Sequence, residues 1–339
     1  MIIHRAHLPH ILILISSIII ILILIYKNSL FEADSLKGRV LWGVSYSPEY
    51  AKSLGLDPRQ TYQQILTDLK TKNIRLSAYW NQIEPEEDQF NYSDLDYYLD
   101  QAKKNQAKVI LAVGYKLPRW PECRAPKWLN NSSTQILRQR QLEMVTAVVK
   151  HYDNHPEIQA WQIENEPLLP FGDCPPPDRD FLTREVQVVR EITHKPIIVT
   201  DSGELRAWRT PMMVSDIFGT TMYRIVSNNI LGTIHYPFQP WFYRIKSDLV
   251  RKFFAPHNQK TIIVELQAEA WSDKFLTEIP IEEQVQIFPA SELLNYSWYA
   301  KKTGFDEIFL WGVEWWYYLA QRNHPEYLQT AKMIVNDIK

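Results

Sequence analysis

Eight short apolar runs, each followed by a polar or amphipathic stretch, organise the chain from Val40 onward. They are Val40–Tyr46, Ile74–Ala78, Val109–Val113, Ile158–Ile163, Ile197–Thr200, Ile217–Tyr223, Thr261–Glu265 and Ile308–Trp311. This alternation marks βα units around a parallel sheet, whose strands are buried on both faces by the helices that cover them. Helices are expected over Asp57–Lys70, Asp94–Asn105, Ile136–His151 and Phe238–Phe254, and a last one over Glu326–Ile338. The first opens on Asp57-Pro58, a capping residue followed by Pro at the first helical position. The connection near Pro211–Ser215 is short and gives the weakest helical signal. Eight strands and eight connections in about 300 residues predict an α/β fold, a (β/α)8 TIM barrel. A doubly wound open sheet is the alternative, but it needs a phosphate-type loop where this chain has Ser45-Tyr46-Ser47-Pro48.

Ahead of this pattern, Ile11–Ile25 contains only Ile, Leu and the pair Ser16-Ser17. With Leu8 and Tyr26 at its flanks it approaches the length needed to cross a hydrocarbon core of about 30 Å. A cleaved signal peptide is the competing reading, yet Tyr26-Lys27-Asn28-Ser29-Leu30 offers no small-x-small cleavage site. Residues 1–30 are therefore expected to form one N-terminal transmembrane helix with a short linker. Residues 31–339 then form the barrel domain, membrane-anchored and extracytoplasmic.

Composition removes several function classes. Lys plus Arg total 37 against 39 for Asp plus Glu, so no basic field exists to hold nucleic acid. Gly is scarce at 10, and no G-x-G-x-x-G or Walker loop occurs, which argues against nucleotide cofactors. Two Cys and no H-E-x-x-H motif argue against a metal centre. No cofactor and no metal are expected. Twelve Trp, 18 Tyr and 13 Phe suit either a large core or a site for flat amphipathic ligands.

In a barrel, chemistry sits where strands end, and here the strand ends are polar. Strand four closes on Glu164-Asn165-Glu166-Pro167 and strand seven on Val264-Glu265. Glu166 and Glu265 thus share one mouth. Retaining glycoside hydrolysis needs two carboxyl groups about 5–5.5 Å apart, one protonated to donate and one ionised to attack. Two ordinary strand-end carboxylates would look the same in sequence.

Asn165-Glu166-Pro167, with a Glu ending strand seven, resembles the clan-A (β/α)8 glycoside hydrolases, which include cellulases, β-mannanases and β-galactosidases. Arg75 and the stretch Trp80-Asn81-Gln82-Ile83-Glu84-Pro85, then Phe90-Asn91-Tyr92 and Leu95-Asp96, resemble the second βα unit of that clan. The resemblance implies Glu166 as acid/base, Glu265 as nucleophile and Asn165 as the partner of the sugar 2-hydroxyl. It also implies that Arg75 and Tyr223 orient Glu265 and that Trp311 is the platform for the reacting sugar. Two departures stand out: Val113-Gly114-Tyr115 ends strand three without the usual His, and Thr221 stands where a strand-six His is usual.

Glu164 and Glu269 compete for the catalytic roles. Glu164 shares parity with Glu166 and would pair with Arg75 inside the barrel; Glu269 lies in the loop past strand seven and is a candidate sugar contact. Trp120, Trp128, Trp271, Trp315 and Trp316 follow strands three, seven and eight as candidate sugar platforms. Cys123 and Cys174 fall in neighbouring loops, where either a disulfide or two free thiols would fit. The expected function is a retaining glycosidase acting on a β-linked oligo- or polysaccharide. A transglycosylase using the same two glutamates and a carbohydrate-binding pseudoenzyme remain as alternatives.

Overall fold

The computed structural model describes Ser16 and residues 39–228, 232–256 and 259–336. The expected transmembrane helix within residues 1–30 lies outside the described residues. Among those described, no helix is long and apolar enough to cross a membrane. The barrel strands are β1 (Leu41–Ser45), β2 (Asn73–Tyr79), β3 (Lys108–Gly114), β4 (Ile158–Ile163), β5 (Ile197–Asp201), β6 (Ile217–Met222), β9 (Lys260–Gln267) and β10 (Glu307–Trp311). All eight pair in parallel and close in the order β1-β10-β9-β6-β5-β4-β3-β2. Closure excludes the doubly wound alternative, since an open sheet would leave two unpaired edges.

Helices α1 (Pro48–Ser53) and α2 (Pro58–Thr67) follow β1, α3 (Trp80–Ile83) and α4 (Ser93–Lys104) follow β2, and α5 (Thr134–Tyr152) follows β3. Next come α6 (Arg179–Arg190) after β4 and α7 (Arg209–Val214) after β5. The helix α8 (Pro240–Phe254) precedes β9; α9 (Ile281–Ile287) and α10 (Ala290–Lys301) precede β10; α11 (Val313–Ala320) and α12 (Glu326–Val335) close the described chain. The Asp57 carboxylate caps α2 by accepting the Gln60 N–H at 2.7 Å, as its position before Pro58 implied. Between β6 and α8 the chain forms an antiparallel hairpin, β7 (Ile225–Asn228) with β8 (Gly232–His235), which the sequence pattern did not suggest.

Most of the apolar core described falls into two clusters. One large cluster joins the outer strand faces to the helices. A separate group of Ile110, Ala160, Ile198, Ile262, Val264 and Phe309 comes from five strands and packs by itself. Polar side chains then take over toward the strand ends, where Ser45, Arg75, Gln162 and Glu265 are all buried. Buried polar groups must be hydrogen-bonded to be tolerated, so this layer is a network.

A bulge in β9 sets the direction of one of these side chains. On the β6 side, Thr220 pairs with Ile263 but Thr221 pairs with Glu265. On the β10 side, Ile308 pairs with Ile263 but Leu310 with Leu266. One extra residue is thus inserted around Val264–Glu265, and the Ser45 hydroxyl donates to the Val264 carbonyl at 3.1 Å. Bulges of this kind interrupt strand alternation and re-aim a side chain.

Candidate active site

Arg75 is the hub of the mouth. Its Nε donates to Gln162 Oε1 at 2.7 Å, its Nη2 to Asn165 Oδ1 at 2.7 Å, and its Nη1 to Glu265 Oε1 at 2.6 Å. The Tyr223 hydroxyl donates to the other oxygen, Glu265 Oε2, at 2.9 Å. Glu265 therefore carries a buried ion pair on one oxygen and a phenol donor on the other. Both constrain its orientation. Burial, then the charges of Glu265 and Glu166, hold the Tyr223 phenol well above its ordinary range, so it stays a donor.

Glu166 stands in the opposite environment. Burial, then the nearby charges of Glu265 and Glu122, push its carboxyl well above the usual glutamate range. The Thr221 hydroxyl donates to Glu166 Oε1 at 3.0 Å. Its backbone is fixed as firmly as its side chain. The Glu166 N–H donates to Thr200 Oγ1 at 2.8 Å, and Lys116 Nζ donates to the Glu166 carbonyl at 3.0 Å. Glu164 and Glu166 both have left-handed backbone, at φ 58 and 44. For non-glycine residues this costs on the order of 1–3 kcal/mol each and concentrates at functional sites.

Glu164 does not pair with Arg75. The left-handed turn carries it away, and its carboxylate accepts the backbone N–H groups of Tyr115 at 2.7 Å and Lys116 at 2.6 Å, and the Gln141 amide at 2.6 Å. A Cβ at Gly114 would collide with that carboxylate, so only glycine fits there. Burial raises Glu164 to about 7 in spite of those amides. Glu164 thus ties the tip of β4 to the tip of β3.

The loop after β3 supplies residues that had not been singled out. Glu122 lies 3.2 Å from Lys116 Nζ and accepts weakly from Asn165 Nδ2 at 3.4 Å, and burial pushes it up to about 7. Arg119 pairs with Glu269 and, at 2.8 Å, with Glu314. Its guanidinium stacks between Tyr50, 3.7 Å from the ring centre, and Trp311, 4.0 Å away. One face of Trp311, the expected platform for the reacting sugar, is thus taken by a cation. Glu269 is buried beneath the rim and held by Arg119. The signal for Arg119 and Glu122 was only their place in a strand-end loop.

The five candidate platforms divide. Trp120 is 50% exposed and packs edge-on to Phe171. Trp271 packs on both Phe171 and Tyr223, with ring centres 6.4 and 5.1 Å away. These two stay on the rim with Phe171. Trp128 donates its N–H to the Glu84 carbonyl at 3.1 Å. Trp315 and Trp316 are fully buried, bonded to Gln284 Oε1 and the Ala268 carbonyl at 2.7 Å each. They belong to the core and not to a cleft. Cys123 and Cys174 form a disulfide with Cα atoms 5.3 Å apart, which joins the loops after β3 and β4. Among the described residues no group of three or more His, Cys, Asp or Glu could hold a metal.

Residues 46–141 match the Glyco_hydro_42 family, described as Beta-galactosidase. No curated protein matches the sequence. Among solved structures, a β-galactosidase from Bacillus circulans sp. alkalophilus aligns with TM-score 0.57 and 12% identity, over 80% of this chain and 50% of that one. A β-galactosidase from the haloarchaeon Halorubrum lacusprofundi aligns with TM-score 0.59 and 13% identity, over 86% and 58%. Xylanase 10B from Thermotoga petrophila, in complex with xylobiose, aligns with TM-score 0.51 and 12% identity, over 81% and 82%. The chain spans about half the length of the first β-galactosidases it matches. By a family match that runs from the end of β1 into α5, and by a fold shared over four-fifths of its length, the chain is similar to the clan-A (β/α)8 glycoside hydrolases.

Proposed function

We propose that the chain is a retaining glycosidase that cleaves a β-linked oligo- or polysaccharide by double displacement. One observation carries the reading: two glutamates in one mouth have opposite surroundings. Glu265 is ion-paired to Arg75 and bonded by Tyr223, whereas Glu166 is pushed well above the ordinary glutamate range. Neutral Glu166 protonates the leaving oxygen while Glu265 attacks the anomeric carbon; the glycosidic bond breaks and a glycosyl ester forms on Glu265. Glu166, now ionised, takes a proton from water, which displaces Glu265 and restores both groups. Asn165, held by Arg75, is placed to meet the sugar 2-hydroxyl. Trp120, Phe171 and Trp271 offer apolar faces for sugars beyond the reacting one.

The test is covalent trapping. Incubation with activated 2-fluoro-β-glycosides of galactose, glucose, mannose and xylose should label Glu265, since the fluorine slows hydrolysis of the ester more than its formation. A label on Glu269 would refute the residue assignment; no adduct from a glycoside that the enzyme demonstrably hydrolyses would refute the covalent mechanism. Thr221 gives a second test. Thr221→Val removes a donor that favours ionised Glu166, so the basic limb of the pH–rate profile should move to higher pH. The accompanying fall in kcat/KM should be about tenfold, the scale of one hydrogen bond to a charged group. An unmoved limb would show that Thr221 does not act on that proton.

The same proposal extends to placement. The apolar run Ile11–Ile25 would anchor the chain in a membrane with the barrel outside the cytoplasm. The Cys123–Cys174 disulfide supports this, because such bonds persist in oxidising compartments.

A further inference from the structure

Large apolar side chains are unevenly exposed round the barrel wall. Among the described residues, the helices following β1 to β4 expose only Ile136, whereas α8 alone exposes Trp241, Ile245, Leu249, Phe253 and Phe254. Four of these recur at every fourth position and form one stripe along the helix, 41%, 37%, 53% and 67% exposed from Trp241 to Phe253. The opposite face, with Tyr243 and Ser247, is buried on the barrel. Soluble surfaces scatter such residues singly; a continuous ridge marks something that covers it.

The charges of the helix indicate what covers it. Within α8, Arg244 and Arg251 pair with Asp248, Lys246 turns inward to donate to the Gly203 carbonyl at 2.7 Å, and Lys252 lies 5.8 Å from the Phe253 ring, so three cations stand against one carboxylate on the outer side. Arg209 lies 4.6 Å from the Phe254 ring. A second copy docked by twofold symmetry would set these cations against themselves. An apolar stripe of Trp, Ile, Leu and Phe with flanking Arg and Lys instead suits the interface of an anionic bilayer.

Topology brings this helix to the tether. The last turn of α8, Lys252–Phe254, comes just before β9 begins at Lys260, so it lies at the end of the barrel where strands start. Residues 1–38 join the barrel at that same end, through β1. The thirteen residues from Tyr26 to Gly38 reach at most about 45 Å when extended, enough to let the flank lie down. We infer that the outer face of α8 rests in the interface of an anionic membrane, the one in which the N-terminal segment is held. Because α8 runs the length of the wall from mouth to base, the barrel axis then lies along the surface and the mouth opens beside it. The glycans it meets are those within reach of the lipid headgroups. This inference rests on the proposed tether and not on the chemistry of the mouth.

The test uses the full chain in vesicles of phosphatidylcholine and phosphatidylglycerol. Benzoylphenylalanine is placed at Leu249 and, in a separate sample, at Ile136 on α5. On irradiation, lipid adducts at position 249 should exceed those at 136 by roughly tenfold, and placement at Phe253 should repeat the result one turn on. Equal yields in a chain that floats with the vesicles would overturn the docked face and leave the tether standing. Adducts between two protein chains at position 249 would reassign the face to self-association. A chain that does not float with vesicles would overturn tether and face together.

Discussion

Replacing Glu265 by Gln should lower kcat by about 10⁴-fold or more, the scale on which removal of a nucleophile acts. Gln keeps nearly the same volume and one oxygen to accept from Arg75, while its amide nitrogen meets the Tyr223 hydroxyl, which must then turn to accept. Removing the whole side chain is a harsher change. Arg75 is 1% exposed, and without Glu265 its remaining partners are the neutral groups of Gln162, Asn165 and Ser45. Stranding a buried charge in this way costs about 3–5 kcal/mol. Both variants should therefore fail to turn over and melt lower than wild type, Glu265→Ala by more, because the Gln amide oxygen still accepts from the guanidinium that has lost its counter-ion. Steady-state kinetics beside thermal unfolding separates the two. If Glu265→Gln keeps activity within tenfold of wild type, the nucleophile lies elsewhere, and Glu269→Gln becomes the variant that should carry the loss.

The barrel was legible because burial on both strand faces writes itself as apolar runs, and the helical patterns between them are clear enough to fix the strand order. The β7–β8 hairpin was not, since Ile225–His235 carries the same apolar alternation as a loop leading into α8 and no Asn-Gly turn marks it. At the site, strand-end position drew attention to Glu166 and Glu265, and only the family resemblance gave them roles. How Glu265 is aimed could not, because the bulge that turns it is a fact of pairing with β6 and β10 and leaves no local trace. Glu164 was misread for a related reason: strict alternation puts it inside the barrel, but a left-handed residue ends the alternation at that point. That a cation covers one face of Trp311 was not legible either, because a strand-end aromatic says nothing of what lies on it, and the cover, Arg119, comes from a loop nearly two hundred residues earlier. Trp315 and Trp316 lie on α11, a helix whose residues from Val313 to Leu319 are all buried, so helical packing and not loop position decides their role.

Glu166→Gln should cut kcat/KM by about 10²–10⁴-fold on substrates with poor leaving groups, the usual contribution of a general acid. On dinitrophenyl glycosides, whose leaving group needs no proton, formation of the ester should be nearly spared and its hydrolysis should become limiting, with a burst of released phenol as the signature. The pH profile supplies the sign. Glu166 must be protonated for the first step, so activity holds below its folded pKa and falls as pH rises through it. Burial and the charges of Glu265 and Glu122 raise that pKa, which moves the basic limb upward; Gln cannot ionise, so the limb should vanish in the variant. Stability should respond in the opposite sense. A carboxyl whose folded pKa lies above its unfolded value costs the fold nothing while both states are protonated, and destabilises it progressively as pH rises past the unfolded value of about 4.3. Wild type and Glu166→Gln should thus melt together at about pH 3, and the variant should melt higher near neutrality. A variant that loses activity and also melts lower at neutral pH would mean that Glu166 is held as a structural anion, and that the acid must be sought elsewhere, first at Glu122.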